Sequence, residues 1–351
     1  MKLFNIFTLV ILIFLSIFNL LVCSTQVTPD PTSDYNKLVD FANLASFAYC
    51  LKQGLTTGYL ADHATGCRLT TCSHPQYSKI EIIKTFNFND LENVGSGYCA
   101  IDKQQKRIIL TFRGTSSRRD WLSNMDFLPT TYHPISYEHF QHKYTKNLPI
   151  CNNCNIHRGF YQVLKTSLVP VMKATAILLD EHPDYQLHIV GHSLGGVLST
   201  LLGLEFQLMG YDPLVVSFAC PKIGNEQLMQ FIDEQFHTNQ VVDFIDSNHD
   251  LKKGLIRVTH KGDIVPNLPP SMFYSHAGYE YYIDKVDLPH LPNDVVSVGS
   301  SFRVENEHCT PSLFKRKNID KFTETLSKLS PMAVWKEEHV NYFIKISGCD
   351  D

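Results

Sequence analysis

The pentapeptide Gly191-His192-Ser193-Leu194-Gly195 constrains this chain more than any other stretch, because of what stands on either side of it. A short apolar run, Leu187 to Val190, precedes it, and a helix-like run, Val197 to Met209, follows. A strand that passes straight into a helix through G-x-S-x-G holds its serine at a sharp turn, with the hydroxyl raised above the sheet. Glycines on both sides let that turn close without Cβ clashes. The helix then aims its N-terminal N–H groups at the place where an oxyanion would form. By itself the pentapeptide also fits a glycine-rich turn that merely links strand to helix. The flanking runs favour a nucleophile elbow, and an elbow needs an α/β sheet to stand on.

The rest of the chain supplies that alternation. Residues 35–54 space their apolar side chains at helical intervals, and short β-type runs follow at Ile80–Phe86, Gly97–Ile101 and Arg107–Phe112. Asp102 to Lys106, between the last two, reads as a hairpin turn. His157 to Pro183 predicts a long amphipathic helix kinked at Pro170. Strand Gln186–Val190, helix 194–209 and buried strands at Pro213–Ala219 and Leu255–Thr259 complete the pattern. The expectation is an α/β fold, a predominantly parallel central sheet flanked by helices, with ligands at the carboxyl ends of the strands. The stretch 129–157 is polar, rich in His and Tyr and broken by Pro, so it reads as a long loop. The polar stretches 236–254 and 299–330 read as insertions rather than boundaries, which leaves one catalytic domain over 25–351.

Ahead of that domain, Lys2, the apolar run Leu3 to Val22 and then Cys23-Ser24-Thr25 have the layout of a secretory signal peptide, residues 1–24. The run is also long enough for an uncleaved signal anchor. Either reading delivers the remainder to an oxidising compartment, which suits the ten cysteines. Cleavage would remove Cys23, leave an odd number of cysteines and leave no stable membrane anchor. Cys67 with Cys72 and Cys151 with Cys154 are close enough for short-loop disulfides. The second pair is C-x-x-C, half of a zinc site, but no other half stands at a fitting distance, so neither a metal nor a cofactor is expected. The net charge of −4, without long runs of one sign, argues against nucleic acid as the main partner. No N-x-[ST] sequon occurs. A monomer is expected.

Arg113-Gly114-Thr115 follows the strand Arg107–Phe112 and puts a small hydroxyl residue and its N–H at the sheet's edge, where an oxyanion donor is needed. Ser116 to Met125 is then short and amphipathic, with Trp121, Leu122 and Met125 on one side and Arg118, Arg119 and Asp120 on the other. Such a helix can cover an apolar cleft in water and turn outward onto lipid. Periodicity equally fits a surface helix whose Trp packs into the core.

A serine nucleophile needs a base, and the base needs a carboxylate to hold it. Asp263 is the best acid, because it follows the apolar strand Leu255–Thr259 directly and so shares a rim with Ser193. Asp243, Asp246 and Asp250 lie in a polar stretch with no such strand. Chain order admits two bases, His276 and His339.

Taken in order, these pieces resemble the class 3 fungal lipases. The resemblance rests on Phe112-Arg113-Gly114-Thr115 with Trp121, on His157-Arg158-Gly159-Phe160, and on Gly191-His192-Ser193-Leu194-Gly195-Gly196. It continues through Ala219-Cys220-Pro221-Lys222-Ile223-Gly224-Asn225, Asp263-Ile264-Val265-Pro266, Tyr274-Ser275-His276, and His339 ahead of Tyr342-Phe343. It implies an α/β-hydrolase fold with a short helical lid over residues 116–125. It further implies Ser193, Asp263 and His339 as the triad, His276 as a structural neighbour, and Thr115 and Leu194 as the oxyanion hole. The family's disulfides carry over as Cys50–Cys349, Cys67–Cys72 and Cys151–Cys154, leaving Cys99, Cys220 and Cys309 unassigned. Cys220 stands where the family commonly has alanine, and Arg118-Arg119 is unusual for the lid.

The expected function is a secreted, extracellular triacylglycerol lipase acting at a lipid–water interface. A feruloyl esterase or phospholipase A1 on the same fold is the alternative, and a non-catalytic hydrolase-fold binding protein is the alternative of a different class.

Overall fold

A computed structural model describes residues 33–88, 95–115, 128–139, 148–248, 251–269, 273–300 and 337–350. The leader 1–24, the lid residues Arg118, Arg119, Trp121, Leu122 and Met125, Asp250 and Cys309 lie outside the described residues. In chain order the strands are β1 (Gly58–Tyr59), β2 (Glu81–Phe86), β3 (Gly97–Asp102), β4 (Arg107–Phe112), β5 (Pro129–Thr131) and β6 (Asn155–His157). They continue with β7 (Gln186–His192), β8 (Leu214–Phe218), β9 (Gly254–His260), β10 (Tyr279–Ile283), β11 (Val295–Ser300), β12 (Asn341–Tyr342) and β13 (Ile344–Lys345). The helices are α1 (Ser33–Phe47), α2 (Ser136–His139), α3 (Arg158–Glu181), α4 (Leu194–Leu208), α5 (Glu226–Gln235) and α6 (Thr238–Asn248).

Nine strands share one sheet in the order β1-β2-β3-β4-β7-β8-β9-β10-β11. From β4 through β7, β8 and β9 to β10 every pairing is parallel, whereas β1 to β4 and β10 with β11 pair antiparallel. Strands β3, β4, β8 and β9 are buried along their whole length. Covering helices on both faces of the sheet bury these strands on both sides, so their sequences lack the clean alternation of a half-exposed strand. One core layer joins the sheet to α3, α4 and α5 through residues such as Leu164, Leu168, Leu201 and Phe231. The other joins it to α1, α6 and the C-terminal segment through Phe41, Leu44, Val242 and Ile346. Every residue of α4 from Leu194 to Phe206 is buried. At about 1.5–3 kcal/mol for each large apolar side chain, the helix behind the serine is held firmly.

The structure departs from the sequence reading at several points. The expected insertion 236–254 contains α6, which buries Val241, Val242 and Ile245 while Asp243 between them faces water. The expected loop 129–157 holds the antiparallel pair β5/β6 and the single turn α2. Strands β10 and β11 extend the sheet beyond Leu255–Thr259 and were not foreseen. Helix α3 runs unbroken through Pro170. Disulfides join Cys50 to Cys349, Cys67 to Cys72 and Cys151 to Cys154, so the C-x-x-C pair is a bridge rather than half of a zinc site. Cys99 and Cys220 are free and buried.

Candidate active site

Ser193 sits between β7 and α4 at φ 58°, ψ −125°. A left-handed backbone at a non-glycine residue is strained, and such strain persists only where the surroundings impose it. Here they do. The Ser193 N–H donates to the Phe218 carbonyl at 2.8 Å, and the Ser193 carbonyl accepts from the Gly196 N–H at 2.9 Å. Both glycines of the pentapeptide are required by close approach rather than by their own dihedrals. A Cβ at Gly191 would lie 2.1 Å from the Gly195 carbonyl oxygen, and one at Gly195 would lie 2.1 Å from that of Phe112.

His339, on the short helical turn Glu337–His339, faces the serine from the far end of the chain. Its Nε2 is 3.0 Å from Ser193 Oγ, and its Nδ1 lies 3.0 and 3.1 Å from the two Asp263 carboxylate oxygens. All three residues are buried. Asp263 follows β9 and also accepts from the Tyr342 hydroxyl at 2.7 Å and the Val265 N–H at 3.0 Å. Burial pushes the Asp263 carboxyl up, but the His339 ring, the Tyr342 hydroxyl and the Val265 N–H more than offset this and hold it below the usual carboxylate range. Tyr342 is pushed far up by burial and by the neighbouring Asp263 charge, so it is a permanent donor.

The segment after β4 lies against Ser193, since a Cβ at Gly114 would be 3.0 Å from Ser193 Cβ. Thr115, half-buried, ends that segment, and Leu194 is the first residue of α4. A run of hydrogen bonds ties this side of the site to the histidine. The Gly114 N–H donates to the Tyr49 hydroxyl at 3.1 Å, and Tyr49 reaches His192 Nδ1 at 2.7 Å. His192 Nε2 then reaches the His339 carbonyl at 2.7 Å. The carbonyl can only accept, so His192 donates its Nε2–H there and meets the Tyr49 hydroxyl through Nδ1.

The other sequence candidates fall elsewhere. His276 donates Nε2–H to the Pro266 carbonyl at 2.7 Å. Burial, Arg257 and Lys222 push it well below the ordinary histidine value, so it braces the loop after Asp263 without reaching Ser193 as the base. Asp243 is exposed on α6, and Asp246 belongs to the same helix. Cys220 packs behind the elbow near Gly196, and burial pushes its thiol up to about 12, which makes it an inert filler. Lys222 donates to the Asn267 and Pro269 carbonyls at 3.1 and 3.4 Å, and burial with Arg257 brings it down to about 8. Roles for Tyr49, Tyr342 and Lys222 escaped the sequence reading, because nothing local marks a residue whose partner lies far along the chain.

A doubly covered parallel sheet with a strained serine at its carboxyl rim defines an α/β hydrolase. The model of the family described as lipase (class 3) matches residues 109–273. A candidate lipase of Saccharomyces cerevisiae, LIH1, is 32% identical over 336 residues, covering 93% of this chain and 98% of that one. The secreted mono- and diacylglycerol lipase 2 of Gibberella zeae is 29% identical over 345 residues, covering 88% of this chain and 80% of that one. The crystal structure of the Lip2 lipase from Yarrowia lipolytica superposes with a TM-score of 0.66 at 26% identity, covering 90% of this chain and 95% of that one. The chain belongs to the class 3 lipase family and is a carboxylic-ester hydrolase.

Proposed function

We propose that this chain is a secreted triacylglycerol lipase in which Ser193 is the nucleophile, His339 the base and Asp263 the carboxylate that holds the base. The observation that carries the reading is the continuous hydrogen-bonded line from Ser193 Oγ through His339 to Asp263, at 3.0 Å for its first step. His339 Nε2 draws the hydroxyl proton as Oγ attacks the ester carbonyl, and Asp263, held as a carboxylate, keeps Nδ1 protonated. The N–H groups of Leu194 and Thr115 stabilise the tetrahedral oxyanion. His339 then protonates the leaving alcohol and activates the water that releases the acyl group. The 116–125 segment is the proposed lid, with Trp121 on its apolar face. Cleavage after residue 24 would free the 25–351 domain, in keeping with relatives named as secreted.

A fluorophosphonate probe should label Ser193, and Ser193→Ala should lower kcat on a soluble ester by three or more orders of magnitude. Near-parental activity in Ser193→Ala would make the assignment wrong. Tributyrin hydrolysis followed through the solubility limit tests the lid, whose action requires a rise in rate as droplets form. A second reading, preference for partial glycerides, is favoured by relatives named as mono- and diacylglycerol lipases. The ratio of kcat/KM on tributyrin to that on monobutyrin separates the two.

A further inference from the structure

Two histidines outside the triad hold the segment that carries His339, and they do so in opposite protonation states. His260, the last residue of β9, is buried. Its Nδ1 lies 2.7 Å from the Glu338 carbonyl and its Nε2 lies 2.6 Å from the Lys285 carbonyl. Carbonyl oxygens only accept, so both ring nitrogens must carry protons for both contacts to be attractive. His290, whose ring centroid is 4.7 Å away, meets the backbone in the opposite sense. Its Nδ1 accepts the Phe343 N–H at 3.1 Å and is therefore bare. Burial pushes His290 below the ordinary histidine value, and the neighbouring His260 pushes it the same way.

We propose that His260 is a positioning residue that works as an imidazolium, pinning the Glu338 carbonyl next to the base while neutral His290 receives Phe343. The inference rests on the reading of His339 as the base. It makes turnover sensitive to a group that touches neither substrate nor reacting atoms. The charges around His260 are accounted for. Lys261 pairs with Asp284, Lys285 pairs with Asp294, and Tyr342, 5.4 Å away ring to ring, donates to Asp263. The Glu338 side chain packs over Gly262, two residues along. A ring with only one N–H would set a nitrogen lone pair against one of the two carbonyls, and the pin would open.

The first test is histidine 15N NMR on the intact, oxidised chain. At pH 7 His260 should show two protonated nitrogens and His290 one. The second test is His260→Gln, which can donate from one nitrogen only. On p-nitrophenyl butyrate its kcat should fall about ten- to a hundredfold through misplacement of the base, with KM within about twofold of the parent. A bare nitrogen on His260 at pH 7 overturns the proposal, as does a folded His260→Gln protein with parental kcat. If the variant fails to fold, the NMR result on the parent decides. Failure of the fluorophosphonate to label Ser193 would instead sink the triad reading, so the two failures are distinguishable.

Discussion

Glu205 offers a demanding test of how the region beside the site is held. It lies fully buried on α4, the helix that begins at the proposed nucleophile. Its carboxylate accepts from the Tyr132 hydroxyl at 3.0 Å and from the Ile135 and Ser136 N–H groups at 3.0 and 2.9 Å. It thereby caps α2 and anchors the stretch just beyond the proposed lid. Leucine has nearly the same volume, so Glu205→Leu opens little cavity and acts by orphaning three buried donors. Each orphan costs about 1–3 kcal/mol. Against that, burial pushes the Glu205 carboxyl up, so the carboxylate is itself held at a cost that leucine removes. The balance is a loss of about 2–5 kcal/mol, or roughly 5–15 °C in Tm for a domain of this size. Circular-dichroism melts at pH 7, at one scan rate, would read it. Because the folded value lies above the unfolded one, the folded state binds more protons between the two, and the parent loses stability as pH rises across that window. The leucine variant should not. A variant melting within about 2 °C of the parent would refute the reasoning, since three orphaned donors cannot be that cheap.

Two further perturbations act on the site itself. Asp263→Asn should lower kcat about a thousand- to ten-thousandfold, because the amide no longer selects the His339 tautomer that leaves Nε2 free to accept. The Asp263 value is depressed in the fold, so its contribution is complete above about pH 4 and is lost as pH falls through the folded value. Urea unfolding of parent and variant should therefore differ at pH 7 and converge in acid, and a constant gap would contradict the assignment. Gly195→Ala places a Cβ 2.1 Å from the Phe112 carbonyl oxygen, backbone against backbone, where neither side can yield cheaply. Little soluble protein, or a Tm lowered by more than about 10 °C, is expected, and parental yield with parental melting would show that the elbow is looser than described.

The elbow was legible because its chemistry is written locally. A strand, two glycines, a serine and an apolar helix stand in one run of sequence, and the fold follows from their order. That Asp263 stands on the same rim was legible for the same reason, since it follows directly beyond an apolar strand. Which of His276 and His339 comes to stand beside Ser193 was not a local matter. Both follow Asp263, and what separates them is that His276 spends its Nε2–H on the Pro266 carbonyl. Helix α6 was misread because its buried residues, Val241, Val242 and Ile245, are few and sit among polar ones. Composition alone cannot weigh a narrow apolar stripe against a polar majority. Tyr49 and Tyr342 look like ordinary core aromatics until the fold brings His192 and Asp263 to their hydroxyls.

The position of the proposed base raises a mechanical problem that the fold answers. The C-terminal segment 337–350 has little regular structure of its own, only a helical turn and the two-residue strands β12 and β13. Neither element can fix an imidazole to the few tenths of an ångström that proton transfer demands. The precision comes from crossings to rigid neighbours. His192, at the end of β7, takes the His339 carbonyl, and His260, at the end of β9, takes that of Glu338. Beyond them the Cys50–Cys349 bridge ties the segment to the residue beside Tyr49, whose hydroxyl bonds His192. The bridge, which closes a loop 299 residues apart in sequence, therefore does more than remove about 5–6 kcal/mol of chain entropy from the unfolded state. It closes a circuit from Cys50 through Tyr49, His192 and His339 back to Cys349, so that a displacement of His339 must also strain contacts made by the sheet that carries Ser193.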